Sequence, residues 1–260
     1  MRRTWTLTDL EFIVLWEQLE ESGLPAGFSF QSGIPNYLDY LREYDKARDG
    51  LDRNVDLAVH DVLKMVSQPD IRIVVRGRDG IDPDNPEAGI RLHAVRRGGE
   101  GYLIEQLPGR TVDHSGGFTI TEVDAVKLAD ALVAKLPDVP AGSRSRVPLP
   151  PPPSSDVDDE YGRSALWDSF DEDADRCGSR FLEDPATAVG TIEVVQGISR
   201  FGPRGRVRRD LYWLDRQDDG RYVITRDQPP VAQAADAARL VALINAEVAT
   251  VVRAIRDERR

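Results

Sequence analysis

The sequence predicts an α+β fold in which a central antiparallel β-sheet is built from two quasi-symmetric βββα halves and flanked by helical bundles. Two observations lead to this prediction. Between positions 191 and 256, three β-rich runs joined by turn residues precede a long amphipathic helix. A similar succession of runs lies between positions 71 and 136. Two such units can join through a two-fold axis into one sheet.

The C-terminal unit carries the clearer signals. Ile192, Val194 and Val195 begin a β-rich run, the stretch from Phe201 to Gly205 has turn chemistry, and Asp218-Asp-Gly220 marks a hairpin. After these strands the apolar residues recur at helical spacing, at Leu240, Ile244, Val248, Val251, Val252 and Ile255. This spacing predicts a helix of roughly six turns that buries one face.

The N-terminal unit repeats the pattern with a longer first hairpin. Ile71-Arg-Ile73 resembles Ile192-Glu-Val194, and Asp124-Ala-Val-Lys-Leu128, taken as a helix start after Thr121, resembles Asp236-Ala-Ala-Arg-Leu240. The loop from Arg78 to Ala88 contains two prolines and four acidic residues. A loop of this length is either a tolerated excursion or a surface used for contact.

Three helices are predicted before the first β-rich run. Thr8 and Glu11 form a capping box that starts a helix reaching about Ser22. Its apolar residues cover more than half of the circumference, so this helix is either buried on two sides or meets a partner. Two further helices are predicted over 35–48 and 54–67. The helix predicted over 35–48 has apolar residues at Tyr37, Leu38, Leu41 and Tyr44, which we expect in the core.

The chain divides into two halves with a linker between them. Residues 1–136 form the N-terminal half, and residues 137–160 are a linker rich in Pro, Ser and acidic residues. Residues 161–260 form the C-terminal half, which opens with a helix to about Arg176. Together the halves make one domain.

Composition limits the classes of function. The chain has 260 residues, a formal net charge of −11 and 40% hydrophobic residues. The acidic balance argues against nucleic acid as a partner, and the basic run from Arg200 to Arg209 is split between two faces by strand alternation. We expect no signal peptide, because Asp9 and Glu11 interrupt the apolar stretch that one would need, and no membrane insertion, because no apolar run is long enough to span a bilayer. A single cysteine, Cys177, fits a reducing cytoplasm.

No catalytic, cofactor or metal site is predicted. His60, His93 and His114 lack ligand spacing, and Cys177 has no neighbouring histidine. The run from Asp171 to Asp175 resembles the start of a calcium loop but has Arg176 where glycine is needed. Two alternatives remain open: an enzyme whose reactive groups only the fold brings together, and an oligomeric structural protein that forms a homodimer through the helix at 9–22.

Four stretches resemble the EspG-type chaperones of the actinobacterial type VII (ESX) secretion systems. They are Leu7-Thr-Asp-Leu-Glu-Phe12, the strand and turn from Gly190 to Gly205 followed by Arg208-Arg209, the hairpin from Asp215 to Tyr222, and the helix start at Asp236. The resemblance covers nearly the whole chain. It implies a cytoplasmic, non-enzymatic chaperone that binds the helical tip of a PE–PPE heterodimer, keeps it soluble and directs it to its secretion system.

The resemblance also implies where the partner binds. Family members use the loop between the second and third strands, together with the C-terminal sheet and helices. The corresponding residues here are Arg78, Asp79, Ile81, Asp82, Asp84 and Glu87 in the loop, and Val195, Gln196, Ile198 and Phe201 in the second unit. Which secretion system or substrate is served does not follow from the resemblance.

Overall fold

A computed structural model describes residues 3–19, 23–54, 56–150, 178–225 and 230–260. Within these residues ten strands form one antiparallel sheet. The strands are β1 Thr4–Leu7, β2 Ile71–Asp79, β3 Ile90–Arg97, β4 Glu100–Pro108, β5 Ser115–Asp124, β6 Arg146–Pro148, β7 Ala186–Gln196, β8 Arg208–Arg216, β9 Arg221–Thr225 and β10 Val231–Ala234. The main helices are α1 Asp9–Glu17, α2 Tyr37–Asn54, α3 Leu57–Ser67, α4 Leu128–Val133 and α5 Ala237–Glu258.

The strand order confirms the quasi-symmetric sheet and enlarges each half. The order is β1-β5-β4-β3-β2-β7-β8-β9-β10-β6, so β2 and β7 meet at the centre and the two halves mirror one another. Each half contains an edge strand, a four-stranded meander and a helix, rather than three strands and a helix. The edge strands β1 and β6 escaped the sequence analysis because four and three residues show no periodicity.

The central ladder places the pseudo-two-fold axis. Ile73 of β2 lies opposite Val194 of β7, and both side chains are fully buried. These are the residues that the sequence comparison matched between the two units. The correspondence is therefore strongest at the sheet centre.

One face of the sheet, here called the α5 face, is covered by α4 and α5. Asp236 caps α5 through the backbone N–H of Arg239, and Leu240, Ile244 and Val251 are buried against the sheet, which confirms the predicted helix. The matching helix α4 has only six residues. Residues 121–124, predicted to start it, instead end β5, because β4 pairs with them as far as Asp124.

The opposite face, here called the α1 face, is covered over the N-terminal half by α1 and α3. The ring of Phe12 stacks on Phe118 at a centroid distance of 4.0 Å, and the apolar residues from Phe12 to Trp16 are all buried. The wide apolar surface of α1 is thus used within the chain and is not left for a homodimer.

The expectation that the apolar stripe of α2 belongs to the core is wrong for three of its four residues. Tyr37, Leu38 and Leu41 are exposed, because α2 packs along one side only, against α1. Tyr44 does pack against the α1 cluster, and its hydroxyl donates a hydrogen bond of 2.6 Å to Glu17.

Part of the predicted linker belongs to the sheet. Ala141 forms a bridge with Arg221, β6 pairs with β10, and the side chains of Val147 and Leu149 are buried. The rest of the linker, the helix expected from 161 to 176, the calcium-loop resemblance and Cys177 lie outside the described residues.

Candidate functional site

Two hairpin loops leave opposite ends of the central strand pair. The acidic loop, residues 80–89, joins β2 to β3, and the basic loop, residues 197–207, joins β7 to β8. Because β2 and β7 are antiparallel, the loops lie about 30 Å apart. The structure therefore brings together the predicted residues from Arg78 to Glu87, and it places Ile198 and Phe201 at the other end.

The acidic loop is shaped by Asp79. Its carboxylate accepts hydrogen bonds from the backbone N–H groups of Ile81 at 2.8 Å and Asp82 at 3.0 Å, and from the side-chain amide of Asn85 at 3.1 Å. These hydrogen bonds lower the pKa of Asp79, and the bond from the backbone N–H of Asp82 has the largest effect. The loop presents Ile81, which is 63% exposed, among the exposed acids Asp82, Asp84 and Glu87.

A small cavity separates the acidic loop from the β4–β5 connection. Its volume is about 290 Å³, and Arg78, Pro86 and Arg91 line it. The guanidinium of Arg91 donates to the carbonyl oxygen of Val112, and burial lowers the pKa of Arg91. The acidic loop and the β4–β5 connection thus line one cavity from two sides.

A larger concavity, here called the central groove, lies on the α1 face of β2, β7 and β8. It has a volume of about 510 Å³. It is lined by Arg76, Arg78, Ile90, Arg91, Val189, Thr191, Tyr212, Trp213 and Leu214, together with Gly77 and Gly190. Tyr212 is 40% exposed, so the groove combines an aromatic and aliphatic surface with guanidiniums at its margin. Such a surface suits an apolar side chain flanked by oxygen acceptors.

Two glycines facing one another form the floor of the central groove. Gly77 pairs with Gly190, and the ring of Trp213 crosses both on the α5 face. A Cβ atom added to Gly190 would lie 2.0 Å from this ring. Glycine is therefore needed here for the close approach of Trp213.

The basic loop is fixed to the end of α5 by Glu258. The Glu258 carboxylate accepts hydrogen bonds from the Ser199 hydroxyl at 2.9 Å and the Arg200 backbone N–H at 3.1 Å. Hydrogen bonds from Gln196, Ser199 and Arg200 lower the pKa of Glu258. The loop exposes Ile198 and Phe201, and the Arg200 guanidinium lies 4.8 Å from the centre of the Phe201 ring.

Val195 and Gln196 are buried in the free chain. The side-chain amide of Gln196 donates to the carbonyl oxygen of Ile198 at 3.0 Å and accepts from the backbone N–H of Val207 at 3.2 Å. These two residues hold the base of the basic loop. We therefore leave them out of the surface proposed below.

The sequence analysis did not single out Arg76, Arg91, Tyr212 or Leu214. The run Leu211-Tyr-Trp-Leu214 is apolar or aromatic throughout, so no polar alternation marks Tyr212 as exposed. Tyr212 and Arg76 lie in one groove because both residues pair with Thr191, which lies on the strand between them. Strand register over such separations cannot be read from a single sequence.

The three histidines lie in separate environments. His93 is buried, its Nδ1 atom lies 2.9 Å from the carbonyl oxygen of Ala26, and burial lowers its pKa to about 4. His114 contacts Thr111 and Arg110, and His60 lies on α3. Among the described residues, no group of three His, Cys, Asp or Glu side chains is arranged to hold a metal ion. Within the same ranges no helix combines the length and the apolar character needed to cross a bilayer.

Comparison with known proteins supplies a family. The chain is similar in fold to the type VII secretion chaperone EspG5 of Mycobacterium tuberculosis, solved in complex with a PE25–PPE41 dimer. The TM-score is 0.54 at 14% sequence identity, over 93% of this chain and 94% of EspG5, so this likeness shows the fold alone. No curated protein matches the chain. The family model described as the EspG family matches residues 8–246, nearly the whole chain, and the protein is thus a member of the EspG family.

Proposed function

We propose that this protein is a cytoplasmic chaperone that binds the helical tip of a PE–PPE-type substrate, keeps it soluble and directs it to a type VII secretion system. The observation that carries this proposal is the family match over residues 8–246. The relative of the same fold, EspG5, was solved bound to such a dimer.

The geometry supports a binding role. The small cavity beside the acidic loop shares Arg78 and Arg91 with the central groove, so the loop and the groove form one continuous surface. It offers Ile81 and Tyr212 as apolar contacts, with guanidiniums and carboxylates around them. A helical tip carries exposed apolar side chains and free carbonyl oxygens at helix ends, which are the groups that such a surface accommodates.

The proposed action involves no chemical reaction. Covering the apolar tip prevents the substrate from aggregating, and the shape and charge of the surface select one substrate over others. Ile198 and Phe201 form a second, outlying part of the proposed contact surface, since both are exposed at the opposite loop.

The test is co-expression with the PE–PPE pair encoded nearest to the gene, followed by size-exclusion chromatography with mass determination. We expect a stable 1:1:1 complex. Ile81→Asp should weaken it at least tenfold, because a charge would be buried against an apolar tip.

Val126→Asp is the matched control. Val126 is as exposed as Ile81 but lies between β5 and α4, beside residues of the α5 face. Its substitution should leave the affinity unchanged. If the wild-type chain elutes alone with every pair tried, the chaperone function is refuted. If Val126→Asp weakens binding and Ile81→Asp does not, the proposed surface is the wrong one.

A further inference from the structure

Three guanidiniums converge on the α1 face near the basic loop. Arg72 of β2 and Arg208 of β8 lie in one cross-strand row, with Val195 of β7 between them. Besides burial, the positive charge of Arg206, at the end of the basic loop, helps to lower the pKa of Arg72. We call Arg72, Arg206 and Arg208 the arginine cluster.

The carboxylates beside the arginine cluster are already engaged. Glu193 lies 3.1 Å from the guanidinium of Arg208 and 3.6 Å from that of Arg76. Asp210 lies 2.8 Å from Arg208. These two carboxylates thus form ion pairs with Arg208 and Arg76. Counted over the described residues, the site holds more guanidiniums than carboxylates, in a chain whose net charge is −11.

Two donors of the cluster have no acceptor. Among the described residues, the Nε atoms of Arg72 and Arg206 are buried without a hydrogen-bond partner. Burial, followed by the charge of Arg206, lowers the pKa of Arg72. Folded proteins rarely leave buried donors unpaired, and a partly buried cation facing another is destabilising. The arrangement has the form of an anion site for which the described residues supply no acceptor at these two Nε atoms.

We propose that the arginine cluster binds the side-chain carboxylate of an aspartate or glutamate on the tip of the partner. This inference rests on the chaperone function proposed above and names the chemistry that the tip must carry. A carboxylate offers two coplanar acceptors, which match the forked donors of guanidinium groups.

Position and charge favour this occupant. The cluster lies on the same face as the central groove, and Arg72 is about 13 Å along β2 from Arg76. One helical tip can therefore reach both. An acidic chain repels acidic partners over most of its surface, so a local positive site fixes where, and in which orientation, an acidic tip binds.

The first measurement needs no partner. Arg206→Met removes one buried, unpaired Nε donor and a positive charge beside Arg72, so the melting temperature of the free protein should rise by a few degrees at low salt. Sodium sulfate should stabilise the wild type more than sodium chloride of equal ionic strength, and this difference should shrink in Arg206→Met. Arg204→Met, an exposed arginine of the same loop, is the control and should show neither effect.

The second measurement uses the PE–PPE pair that forms the complex. Arg206→Met should weaken binding about tenfold at low salt and make the affinity less dependent on salt, whereas Arg204→Met should not. If the wild type binds and Arg206→Met binds equally well, the subsite is refuted and the chaperone function stands. If no pair binds the wild type, both the chaperone function and the proposed binding of a tip carboxylate are refuted. The sulfate comparison still decides whether the cluster is an anion site.

Discussion

The N-terminal and C-terminal halves of the sheet have the same strand order but secure their outer strands differently. In the first half, Phe12 and Phe118 stack within a large apolar cluster under α1 and α3. Among the described residues of the second half, the corresponding apolar cluster is smaller, and a buried ion pair joins Arg221 of β9 to Asp215 of β8 at 2.6 Å. The same strand order is thus stabilised by different contacts in the two halves.

The two hairpin loops diverge in the same way. Each is fixed by one carboxylate, Asp79 in the acidic loop and Glu258 at the basic loop, although Asp79 lies within its own hairpin and Glu258 comes from α5. Their exposed charges are opposite in sign. A quasi-symmetric backbone therefore presents two different ends, so a partner that spans the α1 face can bind in one orientation only.

The largest expected effect comes from removing one member of the buried ion pair. Asp215→Ala leaves the guanidinium of Arg221 buried, with the carbonyl oxygen of Pro137 as its remaining acceptor. We expect a loss of about 3–5 kcal/mol in the free energy of unfolding, measured by urea denaturation.

The double variant Asp215→Ala with Arg221→Met separates charge from packing. Because no unpaired charge then remains, most of the lost stability should return. If the double variant is as unstable as Asp215→Ala alone, the ion pair is not what secures the second half.

A smaller effect is expected in the apolar half. Phe118→Leu retains an apolar side chain but loses the stacking contact with Phe12, and it should cost about 1–2 kcal/mol. Both halves share the central β2–β7 ladder, so we expect a single cooperative transition in this variant, seen by fluorescence and circular dichroism alike. Two separate transitions would show that the halves fold independently.

The sequence predicts most strongly where a pattern is long and local. Helix α5 is defined by 22 residues of helical spacing with Asp236 as its cap, and the structure confirms it. The edge strand β6 has three residues and exists only through pairing with β10. Local patterns cannot reveal an element that long-range pairing alone creates.

The same limit applies to the candidate site. The acidic loop stands out because its length, prolines and acids are local properties. The central groove requires Gly77 to face Gly190 beneath Trp213, which is a consequence of register. The family resemblance assigned Gln196 to the contact surface, but it is buried because the basic loop folds back over its side-chain amide.

The smallest expected effect concerns pH and compares the two loops directly. The pKa of Asp79 is lowered from its ordinary value of 3.8, and that of Glu258 from 4.5. A carboxyl group whose pKa is lowered on folding stabilises the folded loop fully at pH values above its ordinary pKa. This stabilisation is lost as the pH falls through the lowered pKa. Both loops should therefore loosen only below about pH 4.

Hydrogen exchange of single amides can detect this loosening. The N–H groups of Ile81 and Asp82, which donate to Asp79, and the N–H of Arg200, which donates to Glu258, should lose protection in acid. At pH 6, Asp79→Asn should raise exchange about three- to tenfold in the acidic loop alone, because the neutral amide is a weaker acceptor than the carboxylate. Glu258→Gln should do the same in the basic loop alone. If either change loosens both loops, they are coupled through the β2–β7 ladder, and the two ends of the α1 face do not act independently.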